Sequence, residues 1–128
     1  MRSGKILDMD GKVVVWPVGG DRVIGERGME LHEGDVVETK SDAFALIKLY
    51  GIEEATVELN PNSQMLLSEL TMDKEKGTQK TLLDLALGKI LIKAEKLHSG
   101  KSKFEVKTPT SVVGVRGTTF AVEVEAME

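Results

Sequence analysis

The sequence of 128 residues contains no cysteine, and this absence excludes several kinds of site together. Without cysteine there is no disulfide, no thiolate metal site and no cysteine nucleophile. The two histidines, His32 and His98, lie far apart in the sequence and belong to no metal-binding motif. We therefore expect no metal site and no cofactor.

Aromatic residues are also scarce, with one tryptophan, one tyrosine and three phenylalanines. Phe44, Phe104 and Phe120 occupy positions of predicted strands that should face inward, so we expect them in the core. Trp16 differs because it precedes Pro17 at the end of a predicted strand. Tryptophan is favoured at binding hot spots, which makes Trp16 a candidate for partner contact. The alternative is a tryptophan that packs at the rim of the core.

The chain has no strong charge of one sign and no long apolar run. Its 17 basic and 21 acidic residues give a net charge of −4, which argues against binding to nucleic acid or to an anionic membrane surface. No apolar run approaches the ~18 residues that can span a bilayer, so we expect no membrane insertion of this segment. These features favour a protein partner or flanking domains of the same chain.

Catalytic motifs are missing as well. Glu53 and Glu54 are adjacent, so in a strand they point to opposite faces and cannot act as a pair. Ser63 and Ser111 have no histidine at a recognisable motif distance. We therefore predict that the protein is not an enzyme.

What the sequence does contain is alternation of apolar and polar residues, which is typical of strands with one buried face. Turn signals such as Asp10-Gly11 and Asn60-Pro61 separate the alternating segments. Residues 80–87 fit helix spacing too, but their neighbours favour a strand, and Gly88 interrupts the pattern. Together these features predict a single all-β domain, compatible with a sandwich, a barrel or a short β-solenoid.

Four segments carry recognisable motifs: residues 31–39, the turn at residues 59–63, the strand pair around Gly88 at residues 85–92, and Thr108-Pro109 through Val115 to Phe120. Together they resemble FecR-type domains, the family of iron-dicitrate transport regulators. The first is similar to the family's Leu-x-x-Gly-Asp-x-hydrophobic-x-Thr segment, the second to its central turn, the third to its glycine-centred strand pair and the fourth to its closing motif. The motif residues are Leu31, Gly34, Asp35, Thr39, Pro61, Gly88, Thr108, Pro109, Arg116, Gly117, Thr118 and Phe120.

The resemblance implies a compact, twisted, solenoid-like stack of strands, with an antiparallel β-sandwich as the alternative. It places one domain at residues 4–125, and residues 1–3 are interpreted as an expression remnant. It also implies an extracytoplasmic sensing, signal-relay or scaffolding module that acts through protein–protein contacts. The alternatives are a small-ligand or glycan-binding module, or a structural spacer of a larger surface protein.

Two further expectations concern contacts. The lysine-bearing segments 89–96 and 101–107 have the pattern of guarded edge strands, which predicts possible homo-oligomers by strand addition. Arg116 lies close to Gly114 and Gly117 in an apolar stretch, where a buried guanidinium must be paired. We predict that Arg116 is buried and pairs with Asp35; recognition of an anion is the alternative.

Overall fold

The computed structural model describes residues 2–94, 102–115 and 119–125. Strands make up 62% of them, and the same ranges contain no helix, so the all-β prediction is confirmed. In chain order the strands are β1 (Gly4–Asp10), β2 (Val13–Trp16), β3 (Val23–Ile24), β4 (Glu30–Leu31), β5 (Val36–Thr39), β6 (Phe44–Leu49), β7 (Ala55–Leu59), β8 (Gln64–Asp73), β9 (Thr78–Ala94), β10 (Lys103–Lys107), β11 (Val112–Gly114) and β12 (Thr119–Val124).

These strands form one curled sheet with the shape of half a barrel. The strand order is β3-β2-β5-β8-β9-β7-β6-β1-β4; β10 and β12 also pair with β9, and β11 pairs with β10. Every pairing is antiparallel except that of β9 with β10. The solenoid-like description is therefore loose. The ladders are those of the antiparallel alternative, but the sheet is continuous through β9.

Strand β9, with 17 residues, joins the two halves of this sheet. Before Gly88 it pairs with β8 and β10, and after Gly88 it pairs with β7 and β12. The buried positions change parity at the same point, from Leu83 and Leu85 to Ile90 and Ile92, all 0% exposed. The predicted interruption at Gly88 is thus a change of inward face within one continuous strand. Residues 80–87 form a strand, as predicted.

The core lies inside the curl of the sheet. Its largest fully buried side chains are Ile6, Leu31, Ile47, Leu49, Leu59, Met65, Leu67, Leu83, Leu85, Ile90, Ile92 and Val13. In β6 the inward positions are Ala45, Ile47 and Leu49, so Phe44 lies half-buried on the outer face and its predicted core position is wrong. Phe104 is in the core as predicted, and Phe120 is partly buried against it.

The described parts of the lysine-bearing segments, residues 89–94 and 102–107, do not form edges, which corrects the sequence prediction for them. Residues 89–94 of β9 pair with β7 on one side and with β12 on the other. Likewise, β10 lies between β9 and β11. Lysines at alternating positions show that one face of a strand is exposed to solvent. Edge strands and interior strands with one exposed face share this pattern, so the pattern does not identify an edge.

Arg2 and Ser3 contact the sheet, and the interpretation of residues 1–3 as a remnant stays a prediction. Arg2 is only 4% exposed. Its guanidinium donates from Nε to the carbonyl oxygen of Tyr50 at 2.9 Å, and from Nη1 to the carbonyl oxygen of Lys80 at 2.9 Å and to Thr81 Oγ1 at 2.7 Å. Ser3 adds a backbone bond by accepting from the Tyr50 N–H at 2.9 Å. Arg2 therefore ties the chain start to two other parts of the sheet.

Candidate functional site

The first family-like segment forms a tight turn that leads into β5. The N–H of Asp35 donates to the carbonyl oxygen of His32 at 3.0 Å, which closes the turn. Gly34 has a φ of 93°, as the third position of a type II turn requires. The Gly34 N–H and the Asp35 carbonyl both bond to the backbone of Leu67 in β8, at 2.7 and 2.9 Å. The turn is thereby fixed to the sheet.

The Asp35 carboxylate, only 5% exposed, holds two parts of the chain together. Its Oδ2 accepts from the His32 N–H at 2.8 Å, and its Oδ1 accepts from the Val18 N–H at 3.1 Å. A Cβ on Gly34 would lie 2.2 Å from Val18 Cγ2, so only glycine leaves room for that side chain. Gly34 and Asp35 therefore fix the segment that follows Trp16.

This segment belongs to an exposed apolar surface at the β3 end of the sheet, which we call the edge surface. It consists of Trp16, Val18, Arg22, Val23 and Ile24. Its four apolar members are 42%, 66%, 41% and 60% exposed in chain order, and they are half of the eight large hydrophobic residues that the described ranges expose. Ile24 and Trp16 share one face of the β2–β3 ladder, and Val23 lies on the other face. The exposed apolar side chains therefore surround the terminal strand of the sheet, and such a group marks a candidate interaction site.

Arg22 orders the ring of Trp16 within the edge surface. The Arg22 Cζ atom lies 4.8 Å from the centroid of the Trp16 ring, in cation–π contact. Arg22 Nη2 also lies 3.9 Å from Glu38 Oε1 in β5. The structure thus supports exposure of Trp16, the side chain that the sequence singled out, and adds three neighbours that the sequence did not. Val18 lies in a turn, where no alternation exists, and a two-residue strand such as Val23–Ile24 is too short for alternation to distinguish its faces.

A second group of family-like residues meets at the corner where β9 changes partners. Thr39, 2% exposed, donates from Oγ1 to the carbonyl oxygen of Asn60 at 2.6 Å and accepts from the Ser63 N–H at 3.0 Å. Ser63 Oγ accepts from the Lys89 N–H at 3.0 Å. A Cβ on Gly88 would lie 2.0 Å from that hydroxyl oxygen. These residues lock the turn that contains Pro61 to β5 and β9, which is a structural role.

The closing motif forms the turn between β10 and β11. The Thr108 N–H donates to the carbonyl oxygen of Ser111 at 2.8 Å, and Thr108 Oγ1 accepts from the Ser111 N–H at 3.1 Å. Pro109 is exposed within this turn. Arg116, Gly117 and Thr118 lie outside the described residues, so the pairing of Arg116 with Asp35 stays a prediction.

A cluster of polar residues, which the sequence did not reveal, lies near Arg2. Glu53 is 9% exposed, and its Oε2 has no hydrogen-bond partner among the described residues. Gln79 joins Glu53 to this corner: its Nε2 donates to the Glu53 carbonyl oxygen at 2.9 Å, and its Oε1 accepts from the Glu53 N–H at 3.2 Å. Sequence spacing gives no sign of this group, because Arg2, Glu53 and Gln79 come from separate parts of the chain.

Within residues 2–94, 102–115 and 119–125, His, Asp and Glu side chains form no group of three or more that could hold a metal ion. The same ranges contain no helix with the length and hydropathy needed to cross a membrane. The polar contacts around Asp35 and Thr39 fix backbone geometry. The edge surface and the clefts beside Arg2 are two places where side chains can meet a partner or a ligand.

Comparison with protein families places these motif residues in a known context. The model of the FecR family, described as FecR protein, matches residues 35–128. Neither the curated proteins nor the solved structures yielded a match. The matched range begins at Asp35 and includes Thr39, the turn at Pro61, Gly88 and the closing motif, while the edge surface precedes it. Because this match covers more than half of the sequence, the chain belongs to the FecR protein family.

Proposed function

We propose that this domain is a non-catalytic signalling module that binds a protein partner through the edge surface. Membership of the FecR family supports a signalling or regulatory role. The observation that carries the proposed contact is the coupling of the edge surface to Asp35, whose carboxylate holds the backbone of Val18. A motif residue of the family thus supports the position of the exposed apolar side chains.

The composition of the edge surface favours a protein over a small ligand. Tryptophan and arginine are enriched among the residues that contribute most to protein–protein binding. Trp16 and Arg22 are already stacked, so less side-chain freedom is lost when a partner covers them. The neighbouring valines and isoleucine lie on the terminal strand of the sheet order and its flank. Such an edge suits an apolar segment of another polypeptide.

Site-specific photocrosslinking in cells that produce the full-length protein tests this contact. A benzophenone amino acid at Ile24 should give a discrete adduct with a partner polypeptide, and Trp16→Ala should remove that adduct. The matched control is the same probe at Lys76, which is exposed in the turn between β8 and β9. Equal adducts from both positions, or none from position 24, would contradict the proposal and favour a structural spacer.

We propose further that the domain acts outside the cytoplasm, as the family resemblance implies. Protease added to cells whose outer layers have been removed, but whose inner membrane is intact, should then digest the domain. A cytoplasmic enzyme serves as the control and should survive. Digestion only after membrane lysis would contradict the extracytoplasmic location without affecting the proposed partner contact.

A further inference from the structure

The buried guanidinium of Arg2 has hydrogen-bond partners but no opposite charge. Its three recorded acceptors are two backbone carbonyl oxygens and one hydroxyl oxygen, all neutral. Among the described residues, no carboxylate lies within 4.0 Å of it. A charge taken out of water is costly unless another charge compensates it. Arg2 is therefore a cation that still requires an anion.

The carboxylate that shares this corner does not fulfil that requirement by direct contact. Glu53 forms no ion pair with Arg2, and the side-chain amide of Gln79 binds the backbone of Glu53 instead. A Cβ on Gly51 would lie 2.6 Å from Arg2 Nε and 2.5 Å from Gln79 Oε1, so the absence of a side chain there admits both groups. Glu53 Oε2 is buried and has no hydrogen-bond partner among the described residues, whereas Arg2 Nη2 is not one of these buried, unpartnered atoms.

Arg2 lines two clefts that also share Met72 and Lys74. The first has a volume of about 580 Å³ and is also lined by His32, Glu33, Leu70 and Thr71. The second has a volume of about 470 Å³ and is also lined by Tyr50, Gly51, Ile52, Glu54 and Gly77. These volumes lie in the range of small-molecule sites. The first cleft adjoins the turn that Asp35 closes, since His32 and Glu33 belong to both.

The carboxylates that line these clefts are each engaged by another group. Glu54 is engaged by Lys48, with Oε1 and Nζ 3.2 Å apart. Glu33 has its Oε2 bound to the Leu70 N–H at 2.9 Å, and its charge offsets one of the two cations Arg2 and Lys74. The four charges of Arg2, Lys74, Glu33 and Glu54 therefore sum to zero. Among the described residues, however, neither Arg2 nor Lys74 has a carboxylate within 4.0 Å. The carboxylate of a ligand would give both cations such a contact.

We propose that these joined clefts bind a small monocarboxylate, whose carboxylate group contacts Arg2 Nη2 and Lys74. Hydrogen bonds between charged partners are about twice as strong as those between neutral groups, which favours a carboxylate at this position. The apolar body of the ligand would pack against Leu70, Met72 and Ile52. This site lies apart from the edge surface in its lining residues, so it is an additional property of the domain.

The test uses the full chain and hexanoate as the probe, followed by amide chemical shifts in NMR titrations. Hexanoate should shift the resonances of Arg2, Met72 and Lys74, and Lys74→Gln should weaken binding about tenfold. Lys76→Gln is the matched control, because Lys76 is exposed in the same turn and lines neither cleft. Trp16→Ala should leave hexanoate binding unchanged, which separates this site from the proposed partner contact.

Further arms distinguish the source and the charge of the ligand. A pentapeptide with a free C-terminal carboxylate that binds more tightly than hexanoate would identify a peptide terminus as the source, and its amidated form should then not bind. Phosphate that binds as tightly as hexanoate would overturn the monocarboxylate assignment. So would equal affinities of the Lys74→Gln and Lys76→Gln proteins.

Glu53→Gln tests whether Glu53 already compensates Arg2 at longer range. The proposal predicts that this change alters hexanoate affinity by less than about twofold, since Glu53 touches neither cleft. A gain of about tenfold would show that the buried carboxylate is the counterion of Arg2 and would overturn the proposal. Arg2→Gln is avoided as the primary variant, because it also removes bonds that hold the chain start.

Discussion

Removal of the Asp35 carboxylate should destabilise the domain, because the carboxylate satisfies two backbone N–H groups. Each hydrogen bond to a charged acceptor contributes about 1.5–3 kcal/mol. The two bonds, from His32 and Val18, would therefore give about 3–6 kcal/mol if both donors became buried and unpaired. Val18 and His32 are exposed residues, so water can replace part of the loss. We expect Asp35→Ala to lower the free energy of unfolding by about 2–4 kcal/mol.

Asp35→Asn refines this prediction, because the amide retains one acceptor oxygen of the same shape. It can accept one N–H, while its NH2 group faces the second donor. We expect a loss of about 1–2 kcal/mol, roughly half that of alanine. Both changes should also loosen the segment at Val18, and hence the edge surface, without altering the core.

Urea unfolding monitored by the single tryptophan and by circular dichroism measures these losses. With a slope of about 2 kcal/mol per molar, Asp35→Ala should lower the midpoint by about 1–2 M. Asp21→Ala is the matched control, since Asp21 is exposed and has no recorded hydrogen bond, and it should change stability by less than about 0.5 kcal/mol. If Asp35→Ala behaves like Asp21→Ala, the carboxylate does not hold the turn.

Three other outcomes follow from the contacts described above. Gly88→Ala should lower the free energy of unfolding by about 3 kcal/mol or more, because a φ of 101° is strained for alanine and the new Cβ would lie 2.0 Å from Ser63 Oγ. Gly114→Ala is the control, since the space around Gly114 is open and the change should be tolerated. Similar unfolding midpoints for both variants would refute this reasoning. Arg27→Gln should raise the pKa of Asp8 in an NMR titration, because the hydrogen bond from Arg27 is the main cause that lowers this pKa. The hydrogen bond from the Met9 N–H is the second cause. If the substitution leaves the pKa unchanged, Arg27 is not the cause. Because folding lowers the pKa of Asp8, the carboxylate stabilises the folded state above the unfolded-state pKa, and this stabilisation is lost as the pH falls through the folded-state pKa. Arg27→Gln should therefore make stability less dependent on acid pH. Arg116→Ala combined with Asp35→Ala in a double-mutant cycle should show a coupling above about 1 kcal/mol if the predicted pair exists, and additive losses would discard it.

The sequence best predicted which side chains face the core in strands where apolar and polar residues alternate strictly. Alternation identified the inward side chains of β9, because Leu83 and Ile90 follow opposite parities around Gly88 and both are fully buried. It failed at Phe44, since Ala45 and Ile47 compete for the inward face of the same strand and the smaller residues are the buried ones. Hydrophobicity of a single residue does not decide the register of a strand.

Which strands lie at the edges could not be predicted in the same way. Lysines at positions 89, 93 and 103 face solvent from interior strands, while the two-residue strand β3 lies at the end of the sheet order. Pairing between strands is set by contacts that are distant in sequence, so local composition carries little information about it.

The candidate sites also contain residues that the sequence identified and residues that only the structure revealed. Trp16 was identified from its position before Pro17, and the structure leaves it 42% exposed. Its neighbours at positions 18, 23 and 24 became recognisable only when the edge of the sheet was known. Arg2 gave no sequence signal at all, because its burial depends on carbonyl oxygens of Tyr50 and Lys80.

The central claim, that a protein partner covers the edge surface, is tested most directly by the fluorescence of Trp16. It is the single tryptophan of the chain, so its emission reports on this surface alone. When the polypeptide captured by the probe at Ile24 is added in a tryptophan-free form, acrylamide quenching of Trp16 should fall and its emission should shift to shorter wavelength. Unchanged quenching and emission, while calorimetry shows that the complex forms, would contradict the claim and place the contact elsewhere on the domain.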